Sequence, residues 1–369
     1  MFVPYNYLPY EFKNPSKILK EWKKLIKTSE FTLGTYVNKF EKTFSKYIGA
    51  KYCISTNNGT DALILCLKSL GIGKGDEVIT ATNSFYATAG AIYAVGAKPI
   101  LCDVDSRYQI ETKKIKSLIN KRTKAIMPVH WAGASPEMNK ILAIAKKYKL
   151  YLIEDACMGI GAKINKKSPG TFGNVNAFSM HPLKSLNVMG DGGMVLTDND
   201  SLASWMSKYR NHGMVDRDHI DFWGINMRIQ PLQAIVGMQG LDRLEKTLQV
   251  RRRNAAILDQ GLQKLIEKGF VKIPERKQNY KETFALYMGL FKERDKLKKF
   301  MEDREIEVKI HYPIPLHKQK AAKNNCIFNL KTLSNSEYQA KHLLTIPVHQ
   351  FLSEKQMRHV VKVIEKFYE

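Results

Sequence analysis

Lys184 lies in the run Phe178-Ser-Met-His-Pro-Leu-Lys184-Ser-Leu-Asn-Val-Met-Gly-Asp-Gly-Gly193, and Asp155 ends the apolar segment Leu150-Tyr-Leu-Ile-Glu-Asp155 that precedes it. A lysine on a glycine-rich turn and a carboxylate capping a strand suit one kind of chemistry. The amine condenses with an aldehyde, and the carboxylate keeps a pyridine nitrogen protonated so that the ring accepts electrons. Pyridoxal 5'-phosphate carries both groups. The alternative for Lys184 is a solvated surface lysine, the usual state of lysine in a chain with Lys+Arg 59 against Asp+Glu 35. The residues around it decide between the two.

Asn57-Asn-Gly59-Thr60 lies between an apolar strand and a helical pattern. Free amides and the helix dipole bind phosphate at such a place, and Gly59 permits close approach. An Asn-Gly hairpin is the competing reading, disfavoured by the helical pattern of Asp61-Ala-Leu-Ile-Leu-Cys-Leu67. Ser179, on the same loop as Lys184, can offer a hydroxyl to that phosphate. Phe85, after the next strand, can stack on a pyridine ring or simply fill the core. Asp155 at the end of an apolar strand needs a cationic or hydrogen-bonding partner, because an unpaired buried charge is costly. A protonated pyridine nitrogen is one such partner and a structural lysine another. Burial and a neighbouring cation lower a lysine pKa toward that of a base, and Gly190, Gly192 and Gly193 allow a tight turn behind Lys184. Gly71-Ile-Gly-Lys-Gly75 does not fit G-x-G-x-x-G, which makes a nicotinamide dehydrogenase the weaker reading.

The elements that must position these groups are legible in the pattern. Residues 1–30 read as an arm and an amphipathic helix with Ile18, Trp22 and Ile26 on one face. A helix over Val37–Tyr47 follows. Strands are expected at Tyr52–Thr56, Glu77–Thr80, Pro99–Cys102, Ala125–Val129, Leu150–Ile153 and Gly193–Thr197. Helices over Thr60–Leu70, Ala87–Val95 and Pro136–Tyr148, the last capped by Ser135, alternate with them. Short apolar strands between helices describe a largely parallel sheet covered on both faces. Past a long helix over Pro231–Leu265 the texture changes. The apolar runs Thr283–Phe291 and Val308–Tyr312 belong to a smaller domain. The expected division is an arm and helix at 1–30, a large cofactor domain at 31–249, and a small C-terminal α+β domain at 250–369.

Composition narrows the class. At 369 residues with 44% hydrophobic content the chain exceeds one comfortable core, so two domains are expected. No apolar run has membrane-spanning length, and the N-terminus lacks the layout of a signal peptide. A soluble, cytoplasmic protein is the expectation. The five cysteines have no C-x-x-C pair, which argues against a disulfide framework or zinc site. The net charge of +24 invites a nucleic-acid reading. The lysines are nonetheless dispersed among acids, only Arg251-Arg252-Arg253 is a tight cluster, and no zinc finger or RNP-type motif occurs. Neither nucleic acid nor membrane is an expected partner.

Taken together, Asn58-Gly-Thr-Asp-Ala-Leu63, Phe85-Tyr-Ala-Thr-Ala89, Glu154-Asp-Ala156, Phe172-Gly-Asn174, Phe178-Ser-Met-His-Pro-Leu-Lys184 and Gly190-Asp-Gly-Gly193 resemble motifs of the DegT/DnrJ/StrS family of nucleotide-sugar aminotransferases. Trp223-Gly-Ile-Asn-Met-Arg228 with Gln233-Ala234, and His311-Tyr-Pro-Ile-Pro-Leu-His317, extend the resemblance in family order. It implies an α/β fold-type I pyridoxal-phosphate aminotransferase: a large domain with a mostly parallel seven-stranded sheet covered by helices, a small C-terminal domain, and a homodimer with shared active sites. It implies Lys184 as the Schiff-base lysine, Asp155 as the pyridine-nitrogen partner, Phe85 as the stacking aromatic, and Gly59, Thr60 and Ser179 as phosphate contacts. Asn226 would reach the phosphate of the neighbouring subunit, and His311, Tyr312 and His317 would meet the sugar nucleotide.

The implied reaction moves an amino group from L-glutamate, leaving 2-oxoglutarate, to a keto group of a nucleotide-linked sugar, with the 3-keto position favoured over the 4-keto. Surface-polysaccharide amino sugars are the implied product class. Met158 is a departure, since many members carry Gln or His there near the cofactor's phenolic oxygen, and a thioether is a poor partner for it. A related branch dehydrates keto-sugars with histidine in place of the lysine; here the position is Lys184. A keto-sugar dehydratase and a non-catalytic regulatory protein on the same scaffold are the alternatives.

Overall fold

The structure is a computed structural model that describes residues 1–369. Tyr52–Thr56 (β1) opens a series in which short buried strands alternate with helices: β2 (Glu77–Ala81), β3 (Lys98–Cys102), β4 (Thr123–Met127) and β5 (Tyr151–Asp155). After the two-residue β6 (Lys163–Ile164) come β7 (Val175–Ser179) and β8 (Gly193–Thr197). Seven of these form one sheet in the order β1-β8-β7-β5-β4-β2-β3. The neighbours β3, β2, β4, β5 and β7 run parallel, while β8 lies antiparallel to both β7 and β1. The exception has a local cause. A parallel neighbour needs a crossover of a dozen or more residues, usually a helix, whereas residues 180–192 fold back as a loop that pairs Ser179 with Gly193. That loop, which carries Lys184, therefore closes over the carboxyl ends of β5 and β7, the end where ligands of such sheets gather.

Both faces of the sheet are covered. On one, the helix Gly59–Ser69 contributes Ala62, Leu63, Leu65, Cys66 and Leu67 to a core with Ile153, Val175 and Val195. On the other, Val37, Phe40 and Phe44 of the helix Gly34–Ile48 meet Phe178, Met194 and Leu196. Phe44 stands edge-on to Phe178 at 5.3 Å between ring centroids. Each of these fully buried aromatics contributes roughly 2–3 kcal/mol of transfer free energy, which fixes the strand that ends at Ser179.

The long helix Pro231–Gly261 joins two cores. Its first half packs Ala234, Leu241 and Leu244 against the large sheet, and its second half packs Ala255 and Leu258 with Val3, Tyr287, Leu344 and Ile364. The expected boundary at 249/250 thus falls inside one unbroken helix. The second core surrounds a three-stranded sheet of β9 (Val271–Lys272), β11 (Tyr287–Phe291) and β12 (Leu343–Ile346), in the order β12-β11-β9. Between β9 and β11, β10 (Tyr280–Lys281) pairs with β6. The segment after residue 311 returns to the large sheet, where Ile327 bridges Ile100. The arm lies on the small core, with Val3 bridging Ile306.

Two sequence expectations need correction. Ile26 is 62% exposed, and the buried face of the helix Ser16–Thr28 consists of Ile18 and Leu25. Ser135 is not a helix cap: its hydroxyl bonds His130 Nδ1 at 3.0 Å, and the helix begins at Met138. The apolar run Val308–Tyr312 makes a single bridge, Lys309 to Thr345. No helix is long and apolar enough to cross a membrane.

Candidate active site

Asn57-Asn58-Gly59 is not a hairpin. Asn58 is the N-cap of the helix Gly59–Ser69, its Oδ1 accepting from the Asp61 amide at 2.8 Å and its Nδ2 donating to Asp61 Oδ2 at 3.0 Å. The Ala62 amide donates to the Asn58 carbonyl. The amides of Gly59 and Thr60 precede the first intrahelical bond and have no acceptor within the chain. Gly59 is required by packing, because a Cβ there would lie 2.6 Å from Ser179 Cβ and 3.2 Å from Ser179 Cα. The helix start and the end of β7 are thus pressed together beside two free donors. Gly193 likewise has no room for a side chain, with the Asn58 carbonyl oxygen 2.2 Å from its ideal Cβ position.

These residues line a cavity of about 660 Å³ at the carboxyl end of the large sheet. Gly59, Thr60, Phe85, Asp155, Ser179, Lys184, His311 and Tyr312, from five separate stretches of sequence, all face it. Asp155 is 4% exposed. Its Oδ2 accepts from the Thr88 hydroxyl at 2.7 Å and its Oδ1 from the Cys157 amide at 3.3 Å. Thr88 in turn shares a 2.7 Å bond with Ser84. Beside Asp155, the fully buried Glu154 accepts from the amides of Gly170, Phe172 and Gly173 and bonds His130 Nε2 at 2.8 Å, which pins the strand end.

Lys184 is half-buried as a residue, but its amine end is enclosed by protein. Desolvation lowers its pKa below the ordinary lysine value, opposed by the nearby Asp155 carboxylate. The turn is held by the Lys184 amide donating to the His181 carbonyl at 2.8 Å and by the Tyr7 hydroxyl donating to the Lys184 carbonyl at 3.0 Å. The Cys157 thiol is pushed well up by burial, so it is a neutral neighbour. Across the cavity, Phe85, Tyr86, Trp131 and Tyr312 form an aromatic group, with centroids 6.1 Å apart for Phe85–Tyr312 and 5.7 Å for Trp131–Tyr312. His311 bonds Thr345 Oγ1 at 3.0 Å, and burial, with Lys184 nearby, lowers its pKa to about 4.

Two expected site residues do not line this cavity. His317 is 4% exposed; its Nδ1 bonds Thr82 at 2.7 Å and its Nε2 bonds Glu337 at 3.3 Å. With both nitrogens engaged and no face toward the cavity, it braces the loop after β2, where the Leu316 amide also donates to the Thr82 carbonyl. Asn226 is exposed, its Oδ1 accepting from Arg228 Nε at 3.1 Å, and lies outside the lining of the cavity. Met158 does line it and packs beside Trp131 and Val129.

Sequence reasoning missed several lining residues. Thr88 sits inside the quoted motif Phe85-Tyr-Ala-Thr, three residues along a helix from Phe85, which was a usable signal. Tyr5, Tyr7, Arg251 and His349 arrive from the arm and the small domain, and no local pattern marks them.

The residues fit pyridoxal phosphate. Two free first-turn amides and the side-chain-free approach of Gly59 to Ser179 suit its phosphate, a carboxylate held by Thr88 suits its ring nitrogen, and an enclosed amine of lowered pKa suits its aldehyde.

A family model described as "DegT/DnrJ/EryC1/StrS aminotransferase family" matches residues 13–365. A "Pleiotropic regulatory protein" of Geobacillus stearothermophilus is 35% identical over 97% of this chain and 96% of its own length. A "dTDP-3-amino-3,6-dideoxy-alpha-D-galactopyranose transaminase" of Aneurinibacillus thermoaerophilus is 35% identical over 95% of each chain. Among solved structures, ntda from Bacillus subtilis with bound cofactor PMP superimposes with a TM-score of 0.91 at 30% identity, covering 99% of this chain and 85% of that one. The family match over residues 13–365 includes both cores and every lining residue from Asn58 to His349: the chain belongs to the DegT/DnrJ/EryC1/StrS aminotransferase family, and its cofactor is pyridoxal phosphate.

Proposed function

We propose that this protein transfers an amino group from L-glutamate to the keto group, at position 3 rather than 4, of a nucleotide-linked sugar, and that it works as a homodimer with shared active sites. One observation carries the reading: an enclosed lysine amine and a hydrogen-bonded carboxylate face one cavity beside a helix N-terminus with two free amides. The transaminase relative, whose name specifies a 3-amino sugar, supports the position.

In this reading Gly59, Thr60 and Ser179 hold the phosphate, Phe85 covers the ring, and Asp155 keeps the ring nitrogen protonated. The bound cofactor supplies a carbonyl carbon that exchanges the amino group and a ring that takes up an electron pair. Desolvation lowers the pKa of Lys184, which favours the neutral Nζ that takes the proton from the donor's α-carbon and returns it on the other side of the exchange. Thr88 holds the Asp155 carboxylate in one orientation through Oδ2. His311, neutral above about pH 4, faces the keto-sugar as a hydrogen-bonding group without charge, with Tyr312 beside it. Asn226, which does not line the cavity of its own chain, serves the neighbouring subunit's phosphate. Trp223, 87% exposed on the same segment, is the kind of side chain that a partner surface covers.

The test is product analysis. Purified protein given L-glutamate and a panel of nucleotide-linked 3-keto and 4-keto sugars should yield 2-oxoglutarate and an aminated 3-keto substrate by mass spectrometry. Amination of 4-keto sugars alone would overturn the positional choice. Absence of any amino transfer, with cofactor bound, would favour the regulatory reading suggested by the name of the Geobacillus relative.

A further inference from the structure

Arg251 is a buried cation without an anion. It is 2% exposed and lines the cavity together with Tyr7, Pro347, Val348 and His349. Its Nε donates to Gln350 Oε1 at 3.0 Å, and its Nη1 to the carbonyls of Phe284 and Ala285 at 3.2 and 3.4 Å. Nη2 has no partner. All three acceptors are neutral, and the network reaches a carboxylate, Glu11, only through the other end of Gln350, at 2.7 Å. By contrast the adjacent Arg252 and Arg253 each have a glutamate, at 3.0 and 3.8 Å. A guanidinium kept out of water costs several kcal/mol unless it is paired. A fold that anchors one by two of its nitrogens and leaves the third free has placed a receptor for an anion.

We propose that Arg251 forms a carboxylate-binding subsite for the amino donor, an inference that rests on the aminotransferase reading above and adds to it the group that selects the donor. The position selects among the anions of the reaction. The phosphate of the cofactor belongs at Gly59, Thr60 and Ser179, on the sheet side of the cavity. A nucleoside diphosphate is bulky and needs the open mouth, whereas Arg251 is enclosed. A carboxylate is compact and accepts a charge-assisted hydrogen bond from the one free nitrogen, Nη2. Tyr7 ties the subsite to the lysine loop: its hydroxyl donates to the Lys184 backbone carbonyl at 3.0 Å, and the Arg251 guanidinium carbon lies 5.2 Å from its ring centroid.

The experiment compares wild-type and Arg251→Lys holoenzymes. Lysine keeps the charge and can reach one carbonyl but loses the free Nη2 donor. Glutarate, a dicarboxylate without an amine, should bind wild type by calorimetry and bind the variant about 10- to 100-fold more weakly, the worth of one charge-assisted hydrogen bond. Butyrate, with one carboxylate fewer, should bind both weakly. A nucleoside diphosphate should bind both alike, within twofold. In single half-reactions the half-saturating L-glutamate concentration should rise by the same factor, while the amino-sugar half-reaction stays unchanged. Equal loss in both halves, or unchanged glutarate binding, would overturn the subsite. If Arg251→Lys does not fold, a crystal structure of wild-type holoenzyme with glutarate decides: a carboxylate on Arg251 supports the proposal and one seated elsewhere refutes it. Glutarate binding that depends on Arg251 in a protein that transfers no amino group would keep the subsite and sink only the proposed reaction.

Discussion

Gly59→Ala is the smallest change that tests how the phosphate cradle is built. The added Cβ would sit 2.6 Å from Ser179 Cβ, 2.9 Å from its Oγ and 3.2 Å from its Cα. Carbon atoms in contact prefer about 3.5–4.0 Å, so one partner must move by roughly 1 Å. A rotamer change frees only Oγ. Ser179 itself cannot retreat easily, since β7 is paired with β5 on one side and β8 on the other. The helix start therefore shifts, and with it the amides of Gly59 and Thr60. Overpacking of this kind costs about 1–3 kcal/mol of stability, which a chain this size should survive. Misaligning a charge-assisted hydrogen bond to phosphate costs about 1.5–3 kcal/mol, so cofactor affinity should fall at least tenfold. Fluorescence titration of the apoprotein with pyridoxal phosphate measures this directly, with thermal unfolding of the apoprotein as the control. Cofactor affinity within twofold of wild type, in a folded Gly59→Ala protein, would refute the cradle.

Further outcomes follow from the same geometry. Thr88→Val keeps the shape but removes the 2.7 Å donor to Asp155; turnover should fall about 10- to 100-fold with cofactor still bound, and an unchanged kcat would show that the hydroxyl is dispensable. Lys184→Ala and Asn226→Ala should each be inactive, yet mixing and refolding the two should restore partial turnover through hybrid dimers; no recovery contradicts shared sites. Burial lowers both His311 and His349 to about 4 from the ordinary 6.5, so between those values the unfolded chain binds more protons than the folded one. Stability should accordingly fall as pH drops from about 6.5 toward 4. His349→Gln should flatten that slope in chemical denaturation, and an equally steep slope would remove His349 as a cause.

Much of the fold was legible because its strands are short, apolar and bounded by turns. Tyr52–Thr56 and Gly193–Thr197 were read with their observed bounds. The cofactor side of the cavity was legible for a related reason: Asn58-Gly-Thr and Asp155 follow or end a strand and Lys184 lies in the glycine-rich loop before the next one, where local sequence and site geometry coincide. The other side was not. Arg251 reads as part of a basic triplet, and only the tertiary fold separates one buried guanidinium from two that pair with glutamates. His317 shares a motif with His311, but the chain turns between them toward Thr82, and no periodicity encodes that turn. Ser135-Pro136 carries a helix-start signal that lost to a competing bond, the one to buried His130.

The central claim is that the Lys184 amine is the one joined to the cofactor. The purified protein, reconstituted with pyridoxal phosphate if necessary, should absorb at roughly 400–430 nm and lose that band on borohydride treatment. Peptide mass spectrometry should then place a phosphopyridoxyl adduct on Lys184 alone. A reduced adduct on a different lysine, or none at all after reconstitution, would contradict the account.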